Sequence, residues 1–168
     1  MFVFYINTLQ GGPSVKKVNL LTLSVLLLAG VWGCSDNQVN SVPKSEPYTS
    51  KEAISRGDIV SWEKVYNLDK FEQFITNLSS KKADNIRVTS YTDEGDPIFK
   101  DLKFDGNVIN YSYDTSNDAF GGSNTGVRTD TCSEVTSKKS TQGEIIYSIS
   151  GCTNNDSEID YYLFRTTK

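Results

Sequence analysis

Apolar residues recur with one period before about residue 80 and with another after it. Leu68, Phe71, Phe74, Ile75 and Leu78 fall at i, i+3, i+6, i+7 and i+10, with Asp69, Lys70, Glu72 and Gln73 between them. That stripe predicts an amphipathic helix whose aromatic face is core. Asn67 suits its N-cap and Asp69 its first turn, and Ser79-Ser80-Lys81-Lys82 ends it with cations where the helix dipole favours them.

Beyond the helix the period is two. Residues 86–91 read as a strand, broken over 92–97 by Asp, Glu, Gly and Pro. Residues 98–104 and 108–113 flank Asp105-Gly106, a strong hairpin signal. A two-residue turn there pairs Leu102 with Ile109 and Ile98 with Tyr113 on one face, and Asp101 with Asn110 on the other. A second hairpin is centred on Gln142, where a Thr141-Gln142-Gly143 loop offers Gly for a left-handed residue. In that register Val135 faces Ile149 and Ser137 faces Tyr147 on an apolar side. Cys132 faces Cys152 on a polar side with Glu134, Thr136 and Lys138. A cross-strand disulfide follows, worth roughly 3 kcal/mol for a loop of this length. Residues 159–165 read as a last strand after the Asn154-Asn155-Asp156 turn. The expected fold class is α+β: one amphipathic helix packed on an antiparallel sheet of about five or six strands built from hairpins.

Upstream the pattern fades. Residues 35–57 are polar, with Pro43, Pro47 and many Ser and Asn, and only a weak helical signal near Lys51 to Ser55. They read as a flexible tether that holds a domain roughly 25–30 Å from its attachment, at about 5–6 Å × √n. Before them Lys16-Lys17 precede an apolar run over 20–31, too short to span a bilayer as a helix. A basic stretch followed by a short apolar one is a secretory leader. It ends Val31-Trp32-Gly33-Cys34, which resembles the lipobox of bacterial lipoproteins. That resemblance implies a diacylglyceryl group on Cys34 and cleavage before it, with Trp32 departing from the small residue usual there. The alternative is plain signal cleavage after Gly33. The apolar, uncharged residues 1–14 do not suit a leader, so translation is expected to start at Val15. The expected organisation is a signal peptide over 1–33, a lipidated tether over 34–57 and a domain over 58–168. The expected location is the extracytoplasmic face of the cell membrane, and export to an oxidising space favours the disulfide.

Charge and composition narrow the partners. The chain has 17 Lys and Arg against 21 Asp and Glu. Loss of Lys16 and Lys17 with the leader leaves 15 against 21, a net charge of −6. This argues against nucleic acid, which needs clustered cations, and leaves membrane attachment to the lipid. The sequence has no His, which removes the commonest general base and metal ligand. Two thiols without His make an incomplete metal site, so neither metal nor cofactor is expected.

Several segments together resemble a known family. Val65-Tyr66-Asn67-Leu68, Tyr91-Thr92-Asp93-Glu94-Gly95-Asp96-Pro97-Ile98, Asp105-Gly106, Tyr111-Ser112-Tyr113-Asp114 with Ser116 and Asp118, and Cys132 with Ser150-Gly151-Cys152 are similar to a domain of unknown function, number 4362 in that series. It occurs in lipoproteins of Bacillus-type Gram-positive bacteria. The resemblance implies a lipoprotein of the outer membrane face and no particular activity.

Tyr91, Glu94, Gly95, Asp96, Asp114 and Asp118 form the candidate functional loop. Paired carboxylates there suit acid–base work on a glycan, but short acids beside Gly and Pro more often bond their own backbone in a turn. Asp114 to Asp118 places oxygens at positions 1, 3 and 5 of a calcium loop, yet Ala119 and Thr125 stand where Gly and Glu are required. No catalytic residue is assigned. Tyr91, Tyr111, Tyr113, Tyr147, Tyr161 and Tyr162 lie in expected strands, where outward-facing tyrosines bind protein or glycan. The leading expectation is a non-catalytic binding or interaction module. The alternatives are a carboxylate-dependent wall or glycan hydrolase, and an immunity or inhibitor lipoprotein.

Overall fold

A computed structural model of the chain describes residues 43–62 and 64–167. The leader, Cys34 and the first part of the expected tether lie outside them. In chain order the elements are α1 (Ser50–Arg56), β1 (Ile59–Ser61), β2 (Val65–Tyr66), α2 (Leu68–Ser79), β3 (Asp84–Tyr91), β4 (Pro97–Phe104), β5 (Ile109–Asp114), β6 (Val127–Cys132), β7 (Glu134–Lys139), β8 (Ile145–Ser150) and β9 (Tyr162–Thr166).

Among the described residues the strands form two sheets and there are two α-helices, which corrects the expectation of one helix on one antiparallel sheet. The larger sheet has the order β2-β1-β3-β4-β5-β6 and is mixed, because β1 runs parallel to β3. The smaller has the order β7-β8-β9. The chain passes from one sheet to the other at Ser133, an exposed residue between Cys132 of β6 and Glu134 of β7. No periodicity marks that break, since strand pattern runs unbroken through it.

Cross-strand registers assign the two faces of the large sheet. Ile86, Leu102 and Tyr111 align across β3, β4 and β5, as do Phe104, Ile109 and Cys132 across β4, β5 and β6. This face packs into one core with Phe71 and Phe74 of α2 and with Ile149, Leu163 and Phe164 of the small sheet. Phe71 sits edge-on to Tyr147 at 4.8 Å and to Phe164 at 4.7 Å, so the helix and the small sheet meet through aromatic contacts. The helical period read the buried face of α2 as it stands. Asn67, however, has left-handed backbone and makes no side-chain cap. Its amide donates instead to the carbonyls of Ile54 and Asp58, tying α1 to the start of α2.

The Asp105-Gly106 hairpin closes two residues later than a two-residue turn requires. Phe104 pairs with Ile109 and Leu102 with Tyr111, because Asp105 Oδ1 accepts the amides of Asn107 and Val108 and enlarges the loop. A two-residue slip preserves the side-chain period, so Leu102 and Ile109 still face the core. The second hairpin has the expected register, Val135 with Ile149 and Ser137 with Tyr147, and Gly143 supplies the left-handed residue at φ 89°. Cys132 and Cys152 are disulfide-bonded. They belong to the core and not to a polar face, because β6 has joined the large sheet by that point.

Residues 43–57, expected as tether, lie on the second face of the large sheet. Thr49 caps α1 through Glu52, Glu52 pairs with Arg56, and Gly57 ends the helix at φ 92° with its amide on Ala53. Residues 43–49 form an extended strap. Too few of these side chains are apolar to show a pattern, since the segment is held chiefly through polar groups. No helix among the described residues is long and apolar enough to cross a membrane.

Candidate functional site

The second face carries two adjoining features, a polar clamp under the strap and an aromatic groove beside it. In the clamp, Asp114 Oδ2 accepts the Ser45 amide at 2.7 Å and Asn117 Nδ2 donates to the Ser45 carbonyl at 2.9 Å. The Arg87 guanidinium makes two 2.6 Å bonds to Asp101 and reaches Ser45 Oγ at 3.1 Å. It also donates to the Tyr48 hydroxyl and lies 4.7 Å over the Phe99 ring. Asp101 raises the Arg87 pKa against the opposing effect of burial, so the cation is permanent. Tyr48 stacks on Phe99 at 4.9 Å and donates to Asp58, which also accepts from Thr89. Burial pushes the Tyr48 hydroxyl up.

The groove lies between α1 and strands β1, β2 and β3. Ile54, Val60, Trp62, Tyr66 and Tyr91 line it, with Thr49, Ser50 and Gly95 at its rim, around an open volume of about 340 Å³. Val60 and Tyr66 are register partners and project to the same face. Trp62 is 61% exposed, a large apolar side chain left open to water. Tyr91 donates to the Tyr48 carbonyl at 3.1 Å, and burial pushes its hydroxyl up to about 12. It is therefore a neutral wall of the groove, fixed from behind by the strap.

Of the candidate loop, Tyr91 and Gly95 line the groove and Asp114 belongs to the clamp, while Glu94, Asp96 and Asp118 lie in neither. Gly95 takes the turn's left-handed position at φ 94°, with its amide on Thr92. Glu94 is exposed at that turn. Asp96 Oδ2 accepts the Ala119 amide at 2.9 Å and Asp118 Oδ1 accepts that of Phe120 at 3.0 Å, so the β3–β4 turn supports the β5–β6 loop. Asp114 is buried beneath the strap and bonded to the amides of Ser45 and Ser116. Asp96, Asp114 and Asp118 thus each hold backbone, the role short acids in turns commonly have.

The sequence marked the loop, but not the residues it meets. Trp62 and Tyr66 of the groove, and Arg87, Asn117 and Tyr48 of the clamp, are spread over 70 residues.

A third cluster joins the two sheets. The Asp130 carboxylate accepts from the amides of Thr131, Thr153 and Asn154 and from the hydroxyls of Thr153 and Tyr161. It also lies within 4.8 Å of Cys132 Sγ and Cys152 Sγ. Those sulfurs are bonded to each other and the carboxylate is saturated with donors, so the cluster is a structural joint.

A family model described as domain of unknown function (DUF4362) matches residues 56–148. The chain belongs to the DUF4362 family. Searches of curated proteins and of solved structures return no match. The DUF4362 match takes in β1 to β6, α2, and with them the groove aromatics, Arg87, Asp101, Asp114 and Asn117. The strap, Tyr48 included, lies before its first residue, so the sheet's side of the clamp falls within the matched region and the bound segment does not.

Proposed function

We propose that this chain is an exported lipoprotein, anchored through Cys34 to the outer face of a Gram-positive membrane. On this reading its DUF4362 domain is a non-catalytic binding module that takes a cell-wall glycan in the Trp62–Tyr66–Tyr91 groove. The observation that carries the binding reading is the groove itself. Three aromatic rings with hydroxyls of Thr49 and Ser50 at the rim suit a sugar ring, which stacks its C–H face and hydrogen-bonds at its edge. An acid–base role for the candidate carboxylates has less support, because Asp96, Asp114 and Asp118 are committed to backbone amides.

The test uses Trp62 as its own reporter. The sequence has two Trp residues, and Trp32 leaves with the leader, so tryptophan emission of the processed chain, excited selectively, comes from the groove alone. Titration with soluble fragments of Gram-positive peptidoglycan should shift and saturate that emission, and Tyr66→Ala should weaken the response at least tenfold. An unchanged emission at saturating fragment overturns the glycan reading, and release of new reducing ends overturns the non-catalytic one. The anchor is tested separately: Cys34→Ser should move the protein from the membrane fraction to the medium.

A further inference from the structure

Phe120 is the most exposed large apolar residue among those described, at 77%. It stands at the tip of the β5–β6 loop, between Ala119 and Gly121, both exposed. The loop does not leave it free to fold inward. Asp96 and Asp118 take the amides of Ala119 and Phe120. A side chain on Gly121 would meet Thr125 Cγ2 at 2.5 Å and Asp118 Oδ2 at 2.8 Å, so the turn packs closely against its own side chains. A buried or mobile phenylalanine needs no such support. This one is held out into solvent.

The strap supplies the reason. From Tyr48, which bonds Asp58 beside β3, it crosses Phe99 of β4 to Ser45, which is bonded to Asp114 at the end of β5. Its N-terminal end therefore leaves the domain beside the β5–β6 loop, where Asn117 grips Ser45. Phe120 is three residues further on, at most about 11 Å along the chain. From Cys34 to Pro43 there are nine residues, reaching about 30 Å when extended and about 15–18 Å as a coil. A lipid on Cys34 thus keeps this loop within reach of the bilayer.

We infer that the 119–122 tip is a membrane-contact site, with Phe120 seated in the interfacial layer of the bilayer that holds the lipid; this rests on the anchored reading above. The chemistry at the tip agrees. Residues 115–127 contain no Lys or Arg. Arg128, on the Asn124 carbonyl, is paired with Glu158, and Lys44 is a lone cation beside the loop, so contact comes chiefly from apolar insertion. The amides of residues 119 and 120 are already paired, and they enter the interface without losing a partner.

The experiment supplies the anchor chemically, so that its outcome does not depend on whether cells lipidate Cys34. The chain from Cys34 to Lys168 is prepared with the Cys132–Cys152 bond intact, which leaves Cys34 as the one free thiol. It is coupled to a maleimide lipid in phosphatidylcholine vesicles, as Phe120→Trp in a Trp62→Phe background. Coupling should blue-shift the emission, and brominated phosphatidylcholine should quench it at least twofold, at low and at high salt. Adding Asp114→Ala and Asn117→Ala, which free the Ser45 backbone at the strap's exit while keeping the anchor, should reduce the quenching. Unshifted, unquenched emission on the vesicle overturns the inference. So does a blue shift that appears without vesicles and tracks self-association. The mass of the processed protein from cells reads lipidation independently.

Discussion

Asn117 donates to the carbonyl of Ser45 across 72 residues of chain, and Asp114 accepts the amide of the same Ser45. One residue of a segment read as tether is thus held at both its backbone polar groups by the loop after β5. The consequence is that the segment entering the domain is attached to the sheet at a fixed point. Asp114→Ala should leave the Ser45 amide unpaired and cost about 1.5–3 kcal/mol, the range for a hydrogen bond to a charged group. Urea unfolding measures that loss. Limited trypsin digestion should show faster cleavage after Lys44, the strap's basic residue, and an unchanged cleavage rate would mean the strap is not held by this contact.

The disulfide predicts a different signature. Cys132 and Cys152 are both buried in the core. The loop they close spans a sequence separation of 20, so its removal should cost about 3 kcal/mol. Reduction in native buffer should be slow and should accelerate in moderate urea, since the sulfurs are shielded. Replacing both by Ala should lower the urea midpoint without abolishing α2, read as far-ultraviolet dichroism below the transition.

Asp130 sets an acid limit on stability. Burial alone would raise its carboxyl, but donors from Tyr161, Thr153, Asn154 and Thr131 outweigh it and hold the group at about 2, against an ordinary value of 3.8. A depressed folded value means the unfolded chain binds the proton more readily. The contribution is therefore complete above about pH 4 and is lost as pH falls from there toward 2. Asp130→Asn should flatten the stability curve over that interval and lower stability at neutral pH by about 1–3 kcal/mol. Parallel curves for the two proteins from pH 5 to 2 would exclude this role.

These joints explain which parts of the fold were legible. The α2 stripe and the Val135–Ile149 register were readable because each depends on neighbours in sequence. β6 was not, since its core-facing positions include Arg128 and Asp130, whose burial is offset by partners far along the chain. α1 buries only Ala53, too little to write a period. The strap is polar because its ligands are polar. Tyr91, Asp96 and Asp114 stood out as a loop, but their roles depend on Tyr48, Ala119 and Ser45, which only the folded chain brings to them.

Lys100 offers the sharpest contrast between charge and packing. It is 3% exposed, with Nζ 2.6 Å from Asp160 Oδ2 and 2.6 Å from the Tyr162 carbonyl, and so it ties β4 to the segment entering β9. The rings of Tyr113 and Tyr162 flank it at 5.7 and 5.4 Å. Burial pulls its pKa down and Asp160 opposes that, so the ammonium is kept at a cost in desolvation. Removing the charge while keeping the volume should therefore be mild: Lys100→Met should change stability by less than about 1.5 kcal/mol in either direction. Asp160→Ala leaves the buried cation with one carbonyl partner and should cost more, about 1–3 kcal/mol, less than for a fully buried pair because the carboxylate is partly hydrated. In the Lys100→Met background the Asp160→Ala loss should fall to about 1 kcal/mol, the remainder being the bond its Oδ1 accepts from the Tyr162 amide. A double-mutant cycle in urea measures the coupling, and additive losses would show that the pair does not join the two sheets.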